Sequence, residues 1–175
     1  MENSDTSTKK MISNAGIVLL SSYFPMLFKK LGLLNKSGND FKDIESKICA
    51  VFAIQYLSKK RMSDVSGIDF YLNGILVNYP YATALSTDYT FLQHEITVLD
   101  KFLRDVKMSW NRIQNTSIVA MQYTFFIRDG IIEEKEDKWI LTVKPNPFDM
   151  LIKYVPFEFH NIKYPWMKKS IEVMW

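Results

Sequence analysis

Leu92, Ile96, Leu99, Leu103, Val106 and Trp110 recur at helical spacing, while Glu95, Lys101, Arg104 and Lys107 fall mostly off that line. Side chains spaced in this way share one face of an α-helix, so a long amphipathic helix is predicted, beginning near Ser86 or Thr87. Such a stripe needs other apolar surfaces to cover it, and the preceding residues supply them. From Asn14, a candidate N-cap, Ile17, Leu20, Phe24, Leu27, Phe28 and Leu31 keep helical spacing up to Gly32, which predicts a glycine-capped helix bent at Pro25. A second helix is expected from about Phe41 to Lys59, with Ile44, Ile48, Val51 and Phe52 on one face, and a shorter one around Ile68 to Val77.

The pattern changes after the long helix. Ser117 opens a helix reaching about Ile127, where Arg128-Asp129-Gly130 breaks it. Ile131 to Glu134 and Trp139 to Val143, joined by the charged Lys135 to Lys138, read as a β-hairpin. Pro145 and Pro147 precede a short helix of roughly Phe148 to Tyr154, and Pro156 to Trp175 is aromatic, proline-punctuated and expected to be extended. The predicted fold is α+β and predominantly α: a helical domain, then a hairpin in winged-helix-like order, then an extended aromatic C-terminal segment. A chain of 175 residues suits one domain. Residues 1–12 are expected to be a disordered lead-in and 13–175 the domain.

Catalysis finds little to work with. His94 and His160 lie far apart, each without a companion at metal-ligand spacing, and the six glycines form no phosphate-binding loop. No catalytic residue, cofactor, metal site or small-molecule substrate is therefore expected. Cys49 is the one cysteine, so an internal disulfide is excluded and a buried place on a helix is expected for it. Glu133, Glu134, Glu136 and Asp137 are interleaved with Lys135 and Lys138, which reads as a solvated turn rather than a cation site.

Nucleic acid is the rival reading, because helix-then-hairpin is the order of a winged helix. The formal charge is +3, but the 22 Lys and Arg are spread among 19 acids. The candidate recognition helix carries Ile118, Val119, Met121, Tyr123, Phe125, Phe126 and Ile127, with Arg128 as its only base, and the would-be wing carries four acids. Base edges and phosphates require the opposite chemistry. The alternative function, a winged-helix-like nucleic-acid-binding regulator, rests on element order alone. Lys9-Lys10 before an apolar run imitates a targeting signal, but Ser13 and Asn14 interrupt it and Ala15 to Leu20 is too short for a membrane span. The expected location is the cytoplasm, followed by incorporation into a larger assembly.

Several segments of the chain, taken in order, form a further pattern. They are Asn14-Ala15-Gly16-Ile17-Val18-Leu19-Leu20, Phe24-Pro25-Met26-Leu27-Phe28-Lys29-Lys30-Leu31-Gly32-Leu33-Leu34, Ala50-Val51, Gln55-Tyr56-Leu57, Leu72-Asn73 and Trp110. Asn115-Thr116-Ser117-Ile118, Phe125 to Gly130, Trp139 with Leu141 and Val143, and Asp149-Met150-Leu151 continue the order. The end is Ile162-Lys163-Tyr164-Pro165-Trp166-Met167 with Ile171 to Trp175. Together these segments resemble the C-terminal module of tape-measure proteins from extracellular contractile injection systems, and the end is similar to that family's proline-tryptophan-methionine close. Departures are Gly74 for a usual lysine, Asn78 in a region that often has a glycine, and Pro156-Phe157 for a proline-tryptophan.

The resemblance implies a non-catalytic structural or assembly component of a phage-tail-like particle. Its partners would be the cap, baseplate, tube or full-length tape measure. A fully helical chain of this size would reach only about 260 Å, so a docking role is expected rather than that of a length-setting ruler. Aromatic residues make up 14% of the chain, more than a core of this size needs, and interface centres favour them. Phe157, Phe159, Tyr164, Pro165, Trp166, Met167 and Trp175 crowd the C-terminal segment and are the expected partner interface. Ile171 to Trp175 also has the alternation for edge addition to a neighbour's sheet. The other reading of the segment, that it folds back to close the domain's own core, applies to Trp166 above all.

Overall fold

The computed structural model describes residues 8–59, 69–80, 85 and 89–175. Its first helical segment is two helices rather than one bent helix. A 3-10 helix, Ala15–Tyr23, leads directly into α1, Phe24–Lys30. Pro25 lies in the first turn of α1, where its missing N–H breaks no helical bond. Asn14 does not cap the 3-10 helix with its side chain; its Nδ2 donates to Asn73 Oδ1 at 2.9 Å instead. Gly32 does end the segment, with φ +71, as Leu33 N–H reaches back to Phe28 O at 2.9 Å. This left-handed closure suits glycine.

α2, Ile44–Ser58, starts where the Asp43 carboxylate accepts from Ser46 N–H at 2.7 Å, three residues later than predicted. It is covered on nearly every side, with Cys49 through Gln55 all buried. α3, Asp69–Val77, packs against it. The fully buried Asn73 ties the two together by donating to Val51 O at 3.1 Å. α4, Gln93–Ser109, carries most of the predicted stripe: Leu99, Leu103 and Val106 are buried, Ile96 is half-buried and Trp110 is buried just past its end, while Phe102, outside the stripe, is buried as well. Leu92 departs from that stripe and is 61% exposed, because the helix begins after it, where Glu95 Oε2 accepts the Leu92 N–H at 2.8 Å. The starting point predicted at Ser86 or Thr87, like Ile68 in the helix before it, lies outside the described residues.

α5, Ile118–Met121, opens at Ser117, whose Oγ accepts from Ala120 N–H at 3.1 Å, and widens into a π-helical turn, Gln122–Phe126. Two contacts lock that turn against the first half of the chain. Gln122 Nε2 donates to Leu57 O at 2.9 Å, satisfying a carbonyl at the end of α2. Gly16 lies so close that a Cβ there would be 1.7 Å from Phe125 O, so no other residue fits.

The other layer is a five-stranded sheet of β1 (Lys9–Ile12), β2 (Gly130–Glu134), β3 (Lys138–Val143), β4 (Asn161–Ile162) and β5 (Ser170–Met174) in the order β1-β2-β3-β5-β4. Only β3 and β5 run parallel. A 3-10 helix, Pro147–Tyr154, links β3 to β4 and is capped by the Asn146 side chain, which accepts from Phe148 N–H at 2.7 Å. The fold is therefore mixed α+β. Ile132, Trp139, Leu141, Val143, Ile162, Ile171 and Val173 are buried from the sheet's inner face into one core with the helices.

Two sequence expectations change here. Lys9–Ile12, assigned to a disordered lead-in, forms a strand paired from Lys9 with Glu133 to Ile12 with Gly130; residues 1–7 lie outside the described set. The partner strand is over a hundred positions away, which no local pattern in four residues can reveal. The last strand does alternate as predicted, yet it pairs inside its own sheet, between β3 and β4, rather than offering itself to a neighbour's edge. Burial explains the choice: alternation sends Ile171 and Val173 into the core beside Trp139 and Leu141.

Candidate functional site

The C-terminal residues expected to meet a partner occupy three kinds of place. Tyr164-Pro165-Trp166-Met167 forms a β-turn closed by Met167 N–H to Tyr164 O at 3.0 Å, with Pro165 at the second position, where its fixed φ is favourable. Lys163 Nζ clamps this turn by donating to Met167 O at 2.6 Å and Lys168 O at 2.7 Å. Pro165 stays at the surface, and the three side chains around it are buried. Trp166 Nε1 donates to Leu76 O at 3.0 Å while its ring meets Phe41 edge-on at 5.1 Å. The Tyr164 hydroxyl donates to Ser21 O, and burial pushes its pKa far above the ordinary tyrosine value. Phe159 is also buried. These four side chains, three rings and one thioether, fill the chain's own core.

Phe157 and Trp175 are partly buried and lie apart from the turn. Phe157 packs edge-on against Tyr23 at 5.0 Å. Trp175 lies over Arg128, 5.2 Å from guanidinium carbon to ring centre, and meets Phe159 edge-on at 5.7 Å. Arg128 is 5% exposed and fully engaged: it donates to Asp149 Oδ1 at 2.7 Å, to Asp149 Oδ2 at 3.1 Å and to Lys144 O. Burial pushes the Asp149 carboxyl up, but the Arg128 guanidinium and the Asn146 N–H outweigh it and hold its pKa below the ordinary carboxylate value. The single base of the candidate recognition helix is thus spent on an internal bidentate pair and cannot reach a phosphate. The hairpin, likewise, is no free wing, since β1 and β5 flank it.

An open feature lies elsewhere, where α1 and α4 leave a groove of about 420 Å³. Tyr23, Met26, Leu27, Val98, Phe102 and Val106 line it, with Lys30, Lys101, Asp105 and Ser109 among its polar residues. Met26 is 44% exposed there. Sequence reading missed this site because its walls come from two segments far apart in the chain. The only local signal was Met26, an apolar residue in the α1 segment off the buried line of Phe24, Leu27 and Phe28.

With this geometry in place, comparison with known proteins decides the family. A model of the contractile injection system tape measure protein family matches residues 1–175. The chain belongs to that family. No curated protein and no solved structure matches it significantly. Membership in the tape measure family assigns the chain a structural role in a contractile injection system, and the family is not a catalytic one.

The chemistry-bearing side chains of this tape measure family member are placed accordingly. Burial pushes the Cys49 thiol up to about 11, so it stays protonated near neutral pH, with Sγ 3.7 Å from Glu95 Oε1. His94 is exposed on α4, and the exposed His160 pairs through Nδ1 with Glu158 at 2.7 Å. The structure does not bring the two histidines and the cysteine together. Glu133 pairs with Lys135 at 2.7 Å and Glu134 with Lys169 at 2.9 Å, so two of the four hairpin acids meet lysines, while Glu136 and Asp137 are exposed at the turn. Among the described residues no group of three or more His, Cys, Asp or Glu is placed to hold a metal, and no helix is long and apolar enough to cross a membrane.

Proposed function

We propose that this chain is a docking module of a contractile particle. It attaches at a tube end, on the cap or baseplate, or on a full-length tape measure, and acts through protein-protein contacts rather than chemistry. It is made in the cytoplasm and then enters the assembled particle. The observation that carries this reading is the family match across residues 1–175. Support also comes from the ionisable groups in the described residues: Arg128 and Asp149 serve each other, Cys49 is a buried protonated thiol, and Glu133 and Glu134 of the hairpin meet lysines.

The test is affinity purification of the tagged chain from its native cells, with identification of what accompanies it. Sheath, tube, baseplate, cap or tape measure proteins are the expected companions. Recovery of chromosomal DNA without any of them would overturn the reading. Simultaneous replacement of His94, His160 and Cys49 should leave particle assembly unchanged, and loss of a measurable turnover in a folded triple variant would reveal an active site.

A further inference from the structure

We infer that the groove between α1 and α4 is the seat of a partner helix: an amphipathic α-helix of another particle subunit, apolar on the face it buries and acidic at one flank. The inference rests on the docking reading above and names the surface that performs it. The groove is built from two helical stripes. Tyr23, Met26, Leu27 and Lys30 follow the i, i+3, i+4, i+7 pattern at and along α1, and Val98, Lys101, Phe102, Asp105, Val106 and Ser109 follow it along α4. Two such stripes bordering one hollow offer a seat into which the ridge of a third helix fits. From Val98 to Ser109 the hollow follows α4 for about 16 Å, the length of three helical turns.

Charge chooses the occupant. Lys101 and Asp105 neutralise each other at 2.6 Å, and Ser109 Oγ donates to Val106 O at 2.8 Å, so these polar groups are satisfied from within. A small ligand would find few groups to orient it. Lys30, with Lys29 beside it, stands exposed in the last turn of α1, and neither makes an ion pair among the described residues. A partner whose apolar ridge fills the groove therefore gains most when Asp or Glu on its flank meets Lys30. The methionine at the wall suits this use, since its unbranched thioether adapts to the surface that arrives.

The test uses the full chain in its native cells. Met26→Glu puts a charge on the apolar wall, Lys30→Glu reverses the flank, and Met174→Glu is a control at an exposed position on the outer face of the sheet. Copies of the chain per purified particle are counted by immunoblot, and melting of each isolated variant is compared with the parent. Both groove variants should melt like the parent and lose about tenfold or more in incorporation, while Met174→Glu keeps the parental level. A photo-crosslinking residue at position 26 should join a helix of another particle protein that carries Asp or Glu within one turn of the joined residue. Changing that acid to lysine should restore incorporation of Lys30→Glu.

Parental incorporation of both groove variants would overturn the inference and leave the docking reading intact. So would a crosslink confined to a second copy, a strand or a loop, or native mass spectrometry showing a small apolar molecule bound to the parent and absent from Met26→Glu. Absence of the parent chain from particles would overturn both. Should Met26→Glu fail to fold, Lys30→Glu decides the matter, because its side chain is at the surface.

Discussion

Two regions gather aromatic and methionine side chains near α1, and they treat them in opposite ways. The Tyr164 to Met167 turn carries its large side chains into seats that fit them, with the Trp166 N–H and the Tyr164 hydroxyl each bonded to a carbonyl. The α1–α4 groove presents Met26, Tyr23 and Val98 around a hollow of about 420 Å³ that the described residues leave open. Richness in aromatics marks both regions and does not distinguish them. The distinction lies in whether the chain itself fills the concavity and satisfies the polar atoms around it.

The strongest test of this contrast is truncation after Ser170. It removes nearly all of β5 and Trp175, opening the edges of β3 and β4 and uncovering the Arg128–Asp149 pair. The shortened chain should lose its cooperative melt and aggregate, as read by circular dichroism and light scattering. If it kept its helical signal and melting temperature, the C-terminal segment would be an appendage and the contrast would collapse.

Trp166→Ala asks the same question of a single ring. It empties a buried seat and leaves Leu76 O unpaired, and should cost about 3 to 5 kcal/mol in denaturant unfolding. A loss under about 1 kcal/mol would show that the turn is only lightly attached.

Asp149→Asn should cost about 2 kcal/mol at neutral pH, because Arg128 keeps its burial but loses a charged acceptor. The folded carboxyl titrates below its ordinary value, so the stability it adds is present above about pH 4 and disappears as pH falls below that. The gap between parent and Asp149→Asn should therefore close as the pH is lowered through that range. A gap that stayed constant would place the effect in packing rather than charge. The smallest change in stability belongs to the groove variant Met26→Glu, within about 0.5 kcal/mol of the parent. A large loss there would mean that the groove wall is core after all.

What could be read in advance follows from how many sides of an element are covered. α4 keeps one face in water, so its apolar period stands out, and the β2-β3 hairpin has charged residues at its turn to mark it. α2 and the 3-10 helix before α1 are covered nearly all round: Val18 and Leu19 are as buried as Ile17 and Leu20, and the period there carries little information. The wide turn at Gln122–Phe126 answers to the carbonyl of Leu57 and the approach of Gly16, both distant in sequence. β1 and the interior place of β5 are fixed by pairing with distant strands. For the candidate site, the C-terminal segment was conspicuous by composition, and the structure shows that much of that composition is core. The groove was not legible, because neither of its walls is unusual alone.

The position of β5 also bears on how the molecule is assembled in time. Ser170–Met174 is synthesised after every other strand, yet it belongs between β3 and β4. Until those residues emerge from the ribosome, β1, β2 and β3 can form a three-stranded piece whose last edge is open, with Trp139 and Leu141 lacking the neighbours they have in the finished sheet. Open edges of this kind recruit other chains. A product halted before residue 170 would therefore be a partly folded molecule with an adhesive edge. The native cell would have to refold, shelter or destroy it.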